Sequence, residues 1–143
     1  MRIKVKLAEG AKLPEYKTVG AAGADIYALL DKDTLLPAGQ VVTVPTGLFF
    51  EIEEGYAVDV RPRSGLAAKN GITVLNTPGL CDEDYRGEIK VILYNSSNED
   101  FIIHNGDRIA QMTVAPVIRA SFETVEELGS TERGSGGFGS TGK

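Results

Sequence analysis

Residues 79–88 read GLCDEDYRGE, and how this stretch is taken decides the fold. Before it comes a short run of β-favouring residues, Ile72, Thr73, Val74 and Leu75. After it Ile89, Val91 and Leu93 alternate with Lys90, Ile92 and Tyr94. Alternation with period two gives a strand with one buried face, and two such runs joined by turn residues predict a hairpin. At its tip stand Asp82, Glu83 and Asp84, followed by Tyr85, Arg86 and Gly87. A run of acids is in the plainest case a solvated turn. The neighbours argue for more, because Leu80 and Cys81 directly precede Asp82 and Tyr85 lies just beyond it. A carboxylate held between apolar neighbours on a rigid hairpin has the setting of a general base.

On both sides of this hairpin the chain keeps to short strands. Ile3, Val5 and Leu7 alternate with Lys4 and Lys6, and Ala24–Leu29 carries Asp25 and Tyr27. Further runs are predicted over Leu35–Pro37, Gln40–Pro45, Gly47–Ile52, Tyr56–Arg61, Phe101–His104, Ile109–Val117 and Phe122–Val125. Roughly ten short strands at this spacing predict an all-β sandwich or barrel. One short helical segment is expected near 64–70, with Ser64 as N-cap and Asn70-Gly71 as the stop. From Gly129 the chain turns to Gly, Ser and Thr and cannot bury a core. The expected division is therefore a β domain over 1–128 and a flexible segment over 129–143.

A chain of 143 residues is one domain by size. Its net charge of −5 argues against a nucleic-acid partner, which calls for a basic face. It leaves room for a small anion met by local arginines or a metal. A single cysteine, Cys81, allows no intrachain disulfide and suits a reducing cytoplasm. The first ten residues alternate instead of forming an apolar signal region, and no apolar run approaches the ~18 residues of a membrane span.

Three other pieces can carry chemistry. Arg63-Ser64-Gly65 joins a guanidinium, a hydroxyl and free backbone N–H groups, a combination that binds phosphate oxygens, although Ser-Gly at a helix start is often only a cap. In GDRIAQM (106–112) Arg108 and Gln111 interrupt an apolar run, and the plain reading is an Arg–acid pair with a core amide. The tail RGSGGFGSTG (133–142) is either a linker or an arm that closes on a ligand, with Phe138 to stack and Arg133 to hold charge. Gly137–Lys143 fits G-x-x-x-x-G-K but lacks the following Ser/Thr and helix, so it is no phosphate loop. One Cys and one His, His104, make neither a nucleophile pair nor a zinc site.

Taken in order, AGADIYA (22–28), RPRSGLA (61–67), NTPGLCDEDYRGEI (76–89), GDRIAQM (106–112) and RGSGGFGSTG (133–142) resemble the five motifs of the trimeric deoxyuridine triphosphatase (dUTPase) family, and VPTGL at 44–48 fits as well. The resemblance implies a jelly-roll-like subunit and a homotrimer whose active sites are shared between subunits. The implied activity is hydrolysis of dUTP to dUMP and pyrophosphate, which limits uracil incorporation into DNA and supplies dUMP. It implies Asp82 as general base and Tyr85 as the ring packed on deoxyribose. Asn76 and the backbone of Leu80, Cys81 and Asp82 become the uracil-reading edge, with Lys90 nearby. Arg63, Ser64, Gly65 and Gln111 become phosphate contacts. Asp25 supports a metal–water shell, Phe138 stacks on the base, and Arg133 meets the phosphates. With so few arginines for a polyanion, Mg²⁺ on the phosphates is expected.

Two departures stand out: Cys81 where a β-branched aliphatic is usual, and Ser135 where the tail often has an acid. Two alternatives stay open, a dCTP deaminase-type relative and a non-catalytic nucleotide-binding β trimer. Ammonia release from dCTP marks the first, and absence of pyrophosphate release from dUTP marks the second.

Overall fold

The computed structural model describes residues 1–137. In chain order the elements are β1 (Lys4–Leu7), β2 (Ala24–Tyr27), β3 (Thr34–Leu36), β4 (Val41–Glu51), β5 (Tyr56–Arg61), α1 (Ser64–Asn70), β6 (Ile72–Val74), β7 (Gly79–Cys81), β8 (Glu88–Asn95), β9 (Phe101–Ile103) and β10 (Arg108–Pro116). Two four-stranded sheets, ordered β1-β4-β8-β6 and β2-β10-β5-β7, accompany the small β3-β9 pair. Every strand pairing is antiparallel. The result is an all-β, jelly-roll-like sandwich with one short helix; the sheets do not close into a barrel.

Alternation builds the core. Along β8 the buried residues are Ile89, Val91, Leu93 and Asn95, while Lys90 faces water. They meet Val44 and Leu48 from β4 and, across the sandwich, Ile26, Val58 and Ala110. Each such aliphatic contributes ~1.5–3 kcal/mol by leaving water.

The runs at 40–45 and 47–52 are one strand, not two. The register of β4 against β8 jumps between Pro45 and Leu48, and this bulge absorbs a proline that cannot donate to the ladder. Gly47 sits there at φ +67, where a Cβ would lie 2.6 Å from Leu29 Cδ2, so only glycine fits. At the helix start Arg63, not Ser64, is the N-cap, in extended conformation and without a side-chain cap bond. Its carbonyl already accepts from Ala67 N–H, which puts Ser64 inside the first turn, its hydroxyl uncommitted among the described residues. The stop at Gly71 is as expected, left-handed at φ 67. Phe122–Val125 forms no strand. β-Favouring residues need a ladder partner, the described residues give this segment none, and Phe122 is 98% exposed.

Asn95 is fully buried yet completely bonded. Its Nδ2 donates to the carbonyls of Leu36 (3.1 Å) and Glu99 (2.8 Å), and its Oδ1 accepts from the backbone N–H and the Oγ of Ser97 at 2.9 and 2.8 Å. Asn95→Ala strands these groups and is expected to destabilise the fold by roughly 3 kcal/mol in urea titrations. A loss below about 0.5 kcal/mol, the level of an ordinary surface change, would contradict this account of the 95–99 turn.

Candidate active site

The hairpin read from 72–94 is half right. β6 does pair with β8, Val74 opposite Leu93, but the connection is not a simple tip. After Leu75, whose N–H still bonds Ile92, the chain crosses to the other sheet through a cis Thr77–Pro78 peptide. There β7 pairs with β5, Cys81 opposite Val58 and Gly79 opposite Val60. The acids at 82–84 then carry the chain back to β8. Asp82 therefore sits where the backbone passes between the two sheets.

That passage opens a cleft of about 390 Å³, lined by Asn76, Gly79, Leu80, Cys81, Asp82, Tyr85 and Lys90, with Val60, Val74 and Ile89 among its apolar residues. Seven positions from one region of sequence thus converge on one hollow. Glycines set its shape. A Cβ on Gly79 would come within 3.0 Å of the Asn76 amide, and one on Gly87 within 2.3 Å of the Tyr85 hydroxyl. The Tyr85 ring lies over Gly87 and its hydroxyl donates to the Glu88 carbonyl at 3.2 Å.

Asp82 is exposed at the cleft, and among the described residues its carboxylate has no hydrogen-bond partner. The turn around it is held by others. Tyr85 N–H donates to the Asp82 carbonyl, and Arg86 donates to the carbonyls of Glu83 and Tyr85. Glu83 accepts from Gly55 N–H and from Arg119. The Arg119 bond, then the Gly55 bond, hold the Glu83 carboxyl below the usual carboxylate range. Burial, aided by the Asp82 charge, pushes the Cys81 thiol up, which makes it inert packing.

The other predicted residues gather elsewhere. Asp25 on β2, only 8% exposed, gives one oxygen to Arg63 Nε and the other to an Arg108 terminal nitrogen, each at 3.0 Å. Arg63 also donates to the Arg108 carbonyl at 3.1 Å. Gln111, opposite Asp25 and Arg61 in the ladder, donates to the Pro62 carbonyl at 2.8 Å. Its other amide atom lies where a Cβ on Gly23 would clash at 2.3 Å. Ser64 and Gly65 are exposed beside this cluster at the start of α1. Two guanidiniums against one carboxylate leave a net positive patch beside free helix N–H groups. The expected Arg108–acid pair is present, though Gln111 is only partly buried and no core amide.

None of Asp25, Arg63, Ser64, Gly65 or Gln111 lines the cleft that holds Asp82. Arg133 closes its own turn by donating to the Gly136 carbonyl, and Phe138 lies outside the described residues. Thr43 and Glu88 line the cleft unforeseen. Thr43 reads in sequence as strand filler between two valines. Glu88, at the end of the quoted stretch, is drawn in by the Gly47 N–H of the bulge. Among the described residues no group of three or more His, Cys, Asp or Glu could hold a metal. No described helix is long and apolar enough to cross a membrane.

A protein-family model described as dUTPase matches residues 9–142. The deoxyuridine 5'-triphosphate nucleotidohydrolase of Treponema denticola is 58% identical over 142 residues, 99% of each chain. Among solved structures, the dUTPase of Staphylococcus bacteriophage 80alpha with dUPNHPP superposes with a TM-score of 0.87 at 26% identity, covering 99% of each chain. A point mutant of the dUTPase of phage phi11 of S. aureus, described with a structural Mg(II) ion, has a TM-score of 0.81 at 22% identity, over 91% of this chain and 100% of that one.

Proposed function

The chain belongs to the dUTPase family, and we propose that it hydrolyses dUTP to dUMP and pyrophosphate with Asp82 as the general base. The observation that carries this is the Asp82 carboxylate, unpartnered among the described residues, at a cleft whose walls include Tyr85, Asn76 and β7. A base must be free to accept a proton: Glu83 is engaged by Gly55 and Arg119, and of the two acids of the turn left unpartnered among the described residues, Asp82 lines the cleft and Asp84 does not.

In this reading Asp82 takes a proton from water as the water oxygen bonds the α-phosphorus. The bond from that phosphorus to its bridging oxygen breaks, and pyrophosphate departs with the electron pair. Phosphoryl transfer of this type depends chiefly on positioning and charge. Tyr85, braced on Gly87, packs against deoxyribose and leaves no room for a 2′-hydroxyl. Leu80, Cys81 and Asp82 offer backbone groups, and Asn76 an amide, to uracil; Lys90 stands at the rim. A cytosine there leaves a buried group mispaired at ~1–3 kcal/mol, and a thymine methyl costs ~1–3 kcal/mol in overpacking.

Arg63, Ser64, Gly65 and Gln111 are the phosphate contacts, supplied by another copy of the chain in a homotrimer with shared sites. Two observations support sharing. The phosphate set does not line the Asp82 cleft of its own chain, and the segment after β10 exposes Ile118 (94%), Phe122 (98%) and Leu128 (90%). Apolar side chains this exposed call for cover. The 129–143 segment serves as a lid, with Phe138 on the base and Arg133 on the phosphates. Mg²⁺, a hard cation that keeps waters and phosphate oxygens as ligands, suits a site with no carboxylate cage among the described residues and, when bound, would neutralise phosphate charge. Asp25, its oxygens engaged by arginines, would support it only through water. A cytoplasmic location and a role in keeping uracil out of DNA while supplying dUMP complete the proposal.

The test is pyrophosphate release with Mg²⁺ from dUTP, dTTP, dCTP and UTP. The proposal expects dUTP to be preferred by at least about tenfold, from one mismatched group or one clash. Equal rates on all four, ammonia from dCTP, or no release from dUTP would each overturn it.

A further inference from the structure

We infer that Glu83 and Arg119 are positioning residues that fasten the Asp82 turn to the root of the C-terminal segment, an inference resting on the reading of Asp82 as base. The contacts converge on one glycine. Gly55, in the turn between β4 and β5 at φ +83, gives its N–H to Glu83 Oε2 at 2.5 Å and its carbonyl to the Val117 N–H at 2.8 Å. The second Glu83 oxygen accepts from Arg119 at 2.8 Å. The residue after the base and the first residues after β10 are thus tied to the same glycine and to each other.

Among the described residues Asp82 has no side-chain partner to orient it, so its setting is inherited from this backbone. The Glu83 side chain is 20% exposed and the Arg119 side chain 67%. The water-shielded end of the pair is therefore the one beside the base. Glu54 and Asp84 also face Arg119 and add to the field that holds it. Among the described residues only one Arg119 nitrogen is used, so a lysine can take over the contact, unlike at a two-point site. By this arrangement the general base and the exit line of the tail share one anchor.

The experiment uses the full chain with Glu83→Gln, Arg119→Gln and Arg119→Lys. Hydrogen exchange is read at the Tyr85 and Val117 amides, and kcat and KM are measured for dUTP. Both Gln variants are expected to lower protection at the two amides together and to cut kcat roughly 2- to 10-fold with KM unchanged. Arg119→Lys is expected to restore both. If Arg119→Gln leaves Tyr85 protection unchanged, or if KM rises while kcat holds, the inference is wrong. If the unsubstituted protein does not hydrolyse dUTP, the assignment of the reaction fails separately, and the amide exchange still decides the coupling.

Discussion

Asp82→Asn is expected to lower kcat for dUTP by ~10²–10⁴-fold, the usual contribution of a positioned base, while the fold and nucleotide binding persist. The substitution keeps the size of the side chain and removes only its ability to take a proton. No hydrogen bond is lost, because among the described residues the carboxylate makes none. Burial does not change either, since Asp82 is exposed. Thermal unfolding should therefore shift by no more than about 3 °C, as for a neutral surface change in a chain of this size. A nucleotide-binding isotherm should match that of the unsubstituted protein. Near-normal turnover would remove Asp82 from the role of base.

Deleting residues 133–143 is expected to cost on the order of 10²-fold in turnover, the scale on which loss of substrate positioning is felt, with folding spared. The described part of this segment, 133–137, belongs to no strand and contributes nothing to the core. The apolar residues Ile118, Phe122 and Leu128, which we assign to contact between copies, stay in the truncated chain. The deletion thus separates lid from assembly. It should remain the same size in solution and unfold at the same temperature, yet turn over slowly. Full turnover by the truncated protein would refute the lid.

Much of this was legible in the chain itself, for reasons tied to particular residues. Alternation over Ile89–Tyr94 announced β8, and the Gly71 stop announced the end of α1. Asp82 and Tyr85 stood out because carboxylate, aromatic and turn chemistry coincide within a few positions. The crossing strand β7 was invisible. Gly79, Leu80 and Cys81 are too few to show a period, and their partners, Val58 to Val60, lie more than fifteen residues back along the chain. The bulge at Pro45–Leu48 was read as a break because local signals report breakers, not the long-range pairing that carries a strand through them. Phe122–Val125 had strand composition but no partner, and composition cannot supply one. Likewise, no spacing in the sequence distinguishes residues of one site in one copy from residues that meet across copies.

That last point bears on the central proposal, that the Asp82 cleft and the Asp25–Arg63–Gln111 cluster are two halves of one site contributed by different chains. Mixing tests it directly. Asp82→Asn and Arg63→Gln chains, each nearly inactive alone, are unfolded together in equal amounts, refolded, and assayed for pyrophosphate release from dUTP. If each site draws its base from one copy and its phosphate contacts from another, random assembly restores about one quarter of the sites, and activity should rise to that share of the unsubstituted protein. If the mixture stays at the level of the two parents, each site is built within a single chain and the account is contradicted.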